Sequence, residues 1–306
     1  GKYNLQIRKL LENIYQNYSG DKNSADYTAM VKYMKQVWFA NGIHHHYSTD
    51  KFVPEFSQEF VAEQVKALPA DKLPLNEGET AEQMIETLSK VIFDPAYMQK
   101  RVNQADGQDL VLTSANNLYE GVTQKEVEDY YRSIKDVNDS TPISYGLNAK
   151  VIKVDGKVQE QQYKIDGLYG AAIEKIVYYL NKAKEYAESD KQKAYITALV
   201  DYYTTGDLRK FDEYSILWAE DTDCTVDFVN GFIESYDDPL GMTGAWESIV
   251  NFKNVEASNR THIISANAQW FEDNSPVDPR FKKKEVKGVS AKVITAAILA
   301  GDAYPA

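Results

Sequence analysis

An acid and a phenol lie two residues apart near the end of a predicted β-strand. Side chains alternate from Val226 to Tyr236, so Glu234 and Tyr236 are expected on one face, after three apolar side chains and an asparagine. Side chains two residues apart on a strand are roughly 7 Å from each other. This spacing suits the binding of a small polar ligand at the end of a sheet. It is also typical of a strand whose last polar residues only face solvent.

Histidine and cysteine are the other residue types that could do chemistry. The histidines are His44, His45, His46 and His262, and the only cysteine is Cys224. Adjacent histidines point in different directions in a helix or a strand, so a run of three seldom ligates one metal ion. One cysteine excludes an intrachain disulfide and a cysteine-rich zinc site, and no histidine or aspartate motif beside it supports a nucleophile. We expect no metal site in this chain.

The chain is acidic overall. Its 306 residues carry a formal net charge of −12, and 43% of them are hydrophobic. Nucleic acids and anionic membranes need lysine and arginine to neutralise phosphate, so this charge argues against both as partners. It favours cationic ligands, such as the free amino terminus of a peptide. No apolar run approaches the roughly 20 residues that span a membrane, and a single cysteine fits a reducing compartment, so we expect a cytoplasmic protein.

The first third of the chain is predicted to be helical. Apolar residues from Leu5 to Tyr18 repeat at helical spacing, and Gly20 is placed to end that helix. Thr80 and Thr123 each begin a capping box before an apolar periodic run. Residues 41–50 are polar and are predicted to form a loop.

The first strands are predicted after residue 142. Asp155-Gly156 is a strong hairpin signal between extended runs at 151–154 and 157–165. Further predicted elements are helices over 173–187 and 194–203, strands over 226–236 and 246–252, a helix over 255–271 and an apolar strand over 289–299. Helices first and mostly antiparallel strands later predict a helix-rich α+β fold.

The strongest signal is a continuous block of residue types. Residues 231–241 read Gly-Phe-Ile-Glu-Ser-Tyr-Asp-Asp-Pro-Leu-Gly, and residues 244–250 read Gly-Ala-Trp-Glu-Ser-Ile-Val. This block closely resembles a signature of the dipeptidyl-peptidase III family, zinc exopeptidases that remove dipeptides from the amino terminus of short peptides. The similarity, which is greatest to the bacterial branch, runs from about Phe211 to the last residue. Upstream it is looser, with residues 51–54 (Lys-Phe-Val-Pro) as its clearest island.

The resemblance implies an architecture of two lobes separated by a wide cleft. The lower lobe would contain a small antiparallel β-barrel or sheet wrapped by helices, and the upper lobe would be helical and carry zinc. By this analogy residues 1–254 belong to the lower lobe, 255–288 form a helical excursion toward the upper lobe, and 289–306 return as a strand. The family's zinc motif, His-Glu-x-x-Gly-His with a later glutamate, does not occur in this sequence. We therefore expect the zinc ligands beyond residue 306, in a longer protein, and expect this part alone to be inactive.

The resemblance also implies roles for five residues. Glu234 would pair with the free α-amino group of the substrate, and Glu247 would be a second anchor for that end. Tyr236 would be the catalytic residue, because it would donate a hydrogen bond to the oxyanion that forms at the scissile carbonyl. His46 and Tyr47 would contact the first residues of the substrate. The expected partners are short peptides with a free amino terminus and the zinc-carrying lobe.

The favoured function is therefore the substrate-binding lobe of a zinc dipeptidyl peptidase. One alternative is a stand-alone peptide-binding module that has no catalytic half. Another is a metal-free hydrolase that uses Glu234 and Glu247 as paired carboxylates, although the sequence offers no independent acid–base pattern for it.

Overall fold

The structure, a computed structural model, describes residues 3–288 and 292–301. Within these ranges the chain forms ten α-helices and six β-strands, so the predicted helix-rich α+β fold is confirmed. The helices are α1 (Asn4–Asn17), α2 (Ala25–Phe39), α3 (Gln58–Ala67), α4 (Ala81–Phe93), α5 (Gln124–Ile134), α6 (Gly170–Glu185), α7 (Asp190–Thr205), α8 (Leu208–Glu220), α9 (Val255–Ala266) and α10 (Ala268–Asn274). The strands are β1 (Tyr119–Glu120), β2 (Ala149–Val154), β3 (Lys157–Gln162), β4 (Val226–Glu234), β5 (Ala245–Lys253) and β6 (Ile294–Gly301).

The chain divides into two compact units. Unit 1 comprises Gly1–Pro142, Ala149–Gln161 and Tyr236–Thr243, and unit 2 comprises Ile143–Asn148, Gln162–Ser235 and Gly244–Ala306. The core of unit 1 is built from the apolar faces of α1 to α4, where Ile7, Leu11, Met30 and Met84 are fully buried. Burial of such apolar faces is the main source of helix stability in a folded protein.

Unit 2 joins helices α6 to α8 to the β4–β5–β6 sheet through an aromatic core. Both strand pairs of this sheet are antiparallel. Tyr203 of α7 is fully buried, and its hydroxyl donates to the Asn230 side chain at 2.5 Å and accepts from the Trp246 indole at 3.0 Å. Since Asn230 lies on β4 and Trp246 on β5, one phenol fixes the helix against both strands.

Several local signals are confirmed. Thr80 and Thr123 each accept a hydrogen bond from the backbone three residues on, in the two predicted capping boxes of α4 and α5. Asp155 and Gly156 have φ values of 50° and 77°, as a type I′ turn requires, and they connect β2 to β3 in a hairpin. Tyr119 and Glu120 of β1 add a short parallel edge to β2. The strands of unit 1 therefore form a small sheet whose hairpin could be predicted from two residues.

Some predicted boundaries are wrong. The strand predicted over 226–236 ends at Glu234, and the single helix predicted over 255–271 is interrupted at Asn267, which ends α9 and precedes α10. Helix α8, which begins where the Asp207 carboxylate accepts from the Arg209 amide, was not predicted. The last strand begins at Ile294, and residues 289–291 of its prediction lie outside the described residues.

The division into residues 1–254, 255–288 and 289–306 concerns the lobes of a larger protein and stays a prediction. Among the described residues, no helix has both the length and the apolar composition needed to cross a membrane.

Candidate functional site

A β-bulge sets the orientation of Glu234 in unit 2. Along the β4–β5 ladder Gly231 pairs with Glu247 and Phe232 with Trp246, but the next pair is Glu234 with Ala245, so Ile233 is an extra residue. Directly paired residues share a face of an antiparallel sheet, and so do residues two apart on one strand. Glu234 therefore shares a face with Ala245 and Glu247. The prediction that it shares the face of the buried Phe232 is wrong, because the bulge breaks the alternation.

The bulge also explains why an acid can follow Phe232 at the end of β4. Phe232 is 6% exposed and belongs to the aromatic core, whereas the side chain of Glu234 is exposed. Regular alternation would have directed a carboxylate toward that core, at a large desolvation cost. No basic residue of the described part of the chain forms an ion pair with Glu234. Its carboxylate is therefore available to a cation from outside.

Glu247 lies on β5, opposite a glycine that the packing requires. A side chain at Gly231 would begin 2.8 Å from the Phe211 ring, closer than real contacts allow. Glu247 itself is partly exposed. Unit 2 thus carries two carboxylates, those of Glu234 and Glu247, on one face of its sheet.

Tyr236 belongs to unit 1 and lies in a turn after β4, where its side chain is 53% exposed. The turn is organised by Asp238, which is fully buried. The Asp238 carboxylate accepts hydrogen bonds from the backbone amides of Leu240, Met242 and Thr243 at 2.9, 3.0 and 2.7 Å. Asp238 therefore caps the turn that follows it.

The same carboxylate attaches the turn to the small sheet of unit 1. The Tyr119 hydroxyl, at the start of β1, lies 2.7 and 2.9 Å from the two oxygens of Asp238. The Thr243 hydroxyl donates to the carbonyl of Ala149, the first residue of β2, at 3.0 Å. These contacts hold the turn that carries Tyr236 at both ends.

Arg101 connects that turn to the histidine loop within unit 1. Its guanidinium donates to Asp237 at 2.9 Å and to the carbonyl oxygen of His46 at 3.1 Å, and its backbone amide donates to Thr49 at 2.8 Å. The side chains of Arg101 and Asp237 are 24% and 27% exposed, so the ion pair is partly shielded from water. The Arg101 guanidinium therefore fixes both Asp237, the neighbour of Tyr236, and His46, the neighbour of Tyr47.

The histidines of this loop have structural partners. The buried His44 ring places Nε2 2.8 Å from the carbonyl of Met98, and since a carbonyl can only accept, Nε2 carries the proton. Burial lowers the pKa of His44 to about 4, so the ring is neutral near pH 7. The ring of His45 accepts from the amides of Tyr47 and Ser48, both at 3.2 Å. These two rings organise the loop.

The residues present do not fit a zinc site. Within the ranges that the structure describes, no three side chains of the His, Cys, Asp or Glu type converge on a point where a metal ion could bind. His46 contributes its carbonyl to Arg101 while its ring packs edge-on against Tyr47, with the centroids 4.8 Å apart. The Tyr47 side chain is 83% exposed and can offer its ring face to a ligand.

The sequence did not reveal the roles of Arg101 and Tyr119, whose side chains hold the turn that carries Tyr236. Arg101 and Asp237 are 136 residues apart in the chain, and Tyr119 and Asp238 are 119 apart. No short motif surrounds either residue, so only the tertiary fold reveals them. The adjacent Asp237 and Asp238 were the one sequence signal for these contacts, because two neighbouring acids in a turn need different partners.

Comparisons with known proteins find relatives of this chain among the dipeptidyl peptidases. Dipeptidyl peptidase 3 of Rattus norvegicus is 30% identical over 140 residues, which are 46% of this chain and 19% of that protein. Dipeptidyl peptidase 3 of Dictyostelium discoideum is 22% identical over 263 residues, which are 85% of this chain and 38% of that protein. The aligned segments thus span well under half the length of these relatives.

Two solved structures were also matched. The dipeptidyl-peptidase III structure from Caldithrix abyssi matches with a TM-score of 0.49 and 18% identity, over 97% of this chain and 49% of that one. The structure from Corallococcus sp. strain EGB matches with a TM-score of 0.44 and 17% identity, over 98% of this chain and 48% of that one.

The family model for peptidase family M49 matches residues 103–299, which include strands β1 to β5, the turn of Tyr236 and the two carboxylates of unit 2. Because the match covers more than half of the 306 residues and contains the block that carries the resemblance, the chain belongs to peptidase family M49.

Proposed function

We propose that this chain is the substrate-binding part of a zinc-dependent peptidase that releases dipeptides from the amino terminus of short peptides. The observation that carries the proposal is the exposed Glu234 carboxylate, which has no ion-pair partner among the described residues and shares a sheet face with Glu247. The family membership and the dipeptidyl peptidase 3 relatives support the reaction class.

In this proposal Glu234 binds the α-amino group of the peptide. An ammonium group that leaves water needs a carboxylate partner, and a charge-assisted hydrogen bond is stronger than a neutral one. Glu247 adds a second negative charge on the same face. A peptide with a blocked amino end cannot supply the cation, which would restrict binding to free termini.

The candidate residues of unit 1 have different roles. Tyr236 donates a hydrogen bond to the oxyanion that forms when the scissile carbonyl is attacked. The exposed ring of Tyr47 packs on a substrate side chain, and His46 contributes a contact to the first substrate residues. Zinc ligands come from outside the described residues, on the zinc-carrying lobe that is the proposed partner of this chain.

The test is an assay of product lengths. The zinc-loaded protein that contains this chain is incubated with a decapeptide and with its acetylated counterpart, and the products are identified by mass spectrometry. We expect successive dipeptides from the free peptide and no cleavage of the acetylated one. Release of single residues or internal cleavage would contradict the proposal. Binding of the free peptide without any cleavage would favour the stand-alone binding module.

A further inference from the structure

A groove lined by apolar side chains and lysines lies along α2 in unit 1. Its volume is about 750 Å³, within the range of roughly 300–1,000 Å³ typical of ligand sites. Its lining includes the apolar side chains of Val31, Phe39 and Phe52 and the lysines Lys22, Lys32 and Lys35. Val31, Lys35 and Phe39 follow each other at four-residue spacing, so they line one face of the helix.

The exposure of this face has no explanation within the described residues. The Phe39 side chain is 85% exposed at the end of α2, a large apolar surface left in water. Lys32 pairs with Glu55 at 2.7 Å, but no acid in the described part of the chain pairs with Lys22 or Lys35. Exposed apolar surface rimmed by polar residues marks a site where a protein or a ligand binds.

The charge of the groove determines its occupant. The chain as a whole carries a formal net charge of −12, yet three lysines gather around this groove. Complementary charge attracts a negative ligand and repels a positive one. We propose that the groove binds an acidic peptide segment in which glutamate or aspartate residues flank one aromatic residue. The ring packs on Phe39 and Val31, and the carboxylates pair with Lys22 and Lys35.

The test uses a probe that cannot use the proposed amine anchor. The probe is Glu-Glu-Phe-Glu-Glu, acetylated at its amino end and labelled with fluorescein at its carboxyl end. Binding to the whole chain is measured by fluorescence anisotropy. Because the probe has no free ammonium, it reports the groove and not Glu234, so its failure leaves the proposed function untouched.

Two groove variants, each with a matched control, test whether the probe binds in the groove. We expect Lys22→Glu combined with Lys35→Glu to weaken binding at least about tenfold, and Phe39→Ala to weaken it about fivefold. The matched controls are Lys175→Glu combined with Lys191→Glu, which reverse two exposed charges of unit 2, and Phe281→Ala, which removes a ring that is 74% exposed. Both controls should bind like the unsubstituted chain.

The other outcomes overturn the proposal. They are a probe that does not bind, a probe whose binding is weakened equally by the groove and control variants, and a lysine-containing counterpart of the probe that binds as well. Vesicles of phosphatidylserine and phosphatidylcholine are the last comparison. Vesicles that bind through Lys22 and Lys35 while the acidic probe does not would assign the groove to a membrane surface.

Discussion

Arg101 and Asp237 form a 2.9 Å ion pair between residues that are 136 positions apart in the chain. The same guanidinium donates to the carbonyl of His46. One cation therefore fixes both the neighbour of Tyr236 and the loop that presents Tyr47. The planar guanidinium carries several N–H donors in fixed directions, so it can make both contacts at once. A lysine ammonium group cannot do so in the same geometry.

The Arg101–Asp237 pair should contribute measurably to stability. Both side chains are about a quarter exposed, so we expect a double-mutant cycle of Arg101→Gln and Asp237→Asn to give a coupling of about 1–2 kcal/mol in the free energy of unfolding. Urea unfolding measures it. The control cycle uses Arg132 and Asp129, whose side chains are 72% and 45% exposed and should couple by less than about 0.5 kcal/mol. Equal coupling in the two cycles would contradict this interpretation.

The buried Asp238 carboxylate should contribute more to the free energy of unfolding than the Tyr119 hydroxyl that bonds to it. Asp238→Ala removes a buried carboxylate that accepts from three backbone amides and from the Tyr119 hydroxyl, so unfolding should become easier by about 3–5 kcal/mol. Tyr119→Phe removes only one donor and should cost about 1–2 kcal/mol. Thermal unfolding of both variants gives the order. A Tyr119→Phe variant as unstable as Asp238→Ala would show that the phenol, not the carboxylate, organises the turn.

His44 should make stability depend on pH. Its pKa in the folded protein is about 4, below the value of about 6.5 in an unfolded chain, so protons bind the unfolded state more readily between these values. The stability contribution of neutral His44 is therefore complete above about pH 6.5 and is lost as the pH falls toward 4, by at most about 3 kcal/mol.

Unfolding curves at several pH values measure this dependence. His44→Gln should flatten the stability profile between pH 6.5 and 4 relative to the unsubstituted chain, while the exposed His262→Gln should leave it unchanged. Carboxylates that titrate in this range are common to all three proteins and cancel in the comparison. Parallel profiles for His44→Gln and the unsubstituted chain would refute the role of His44.

Tyr236 should affect the reaction more than binding. In the zinc-loaded protein that contains this chain, Tyr236→Phe should lower kcat by about 10²–10³-fold with little change in KM, because a hydrogen bond to the oxyanion forms only as the reaction proceeds. Steady-state kinetics on a dipeptidyl arylamide measures both constants. A variant that raises KM at unchanged kcat would make Tyr236 a binding residue.

The sequence predicted those structural features that depend on a few neighbouring residues. The capping residues Thr80 and Thr123 and the Asp155-Gly156 turn each depend on a few neighbouring residues, and all three were predicted. Glu234 and Glu247, the two carboxylates of unit 2, were identified as candidates through the family block. The face of Glu234 could not be predicted, because a bulge at Ile233 depends on the register with β5. Arg101 was missed for the same reason, since its partners come from distant segments.

The most direct test of the proposed function is the binding of one tetrapeptide in two forms. Calorimetry compares the free peptide with its acetylated form on the unsubstituted chain, on Glu234→Gln and on Glu174→Gln, which removes the same charge from the exposed surface of α6. We predict that the unsubstituted chain and Glu174→Gln prefer the free peptide at least about tenfold, a difference of about 1.4 kcal/mol, and that Glu234→Gln loses this preference. A Glu234→Gln chain that keeps the full preference for the free amino terminus would contradict the assignment of Glu234 as the residue that binds it.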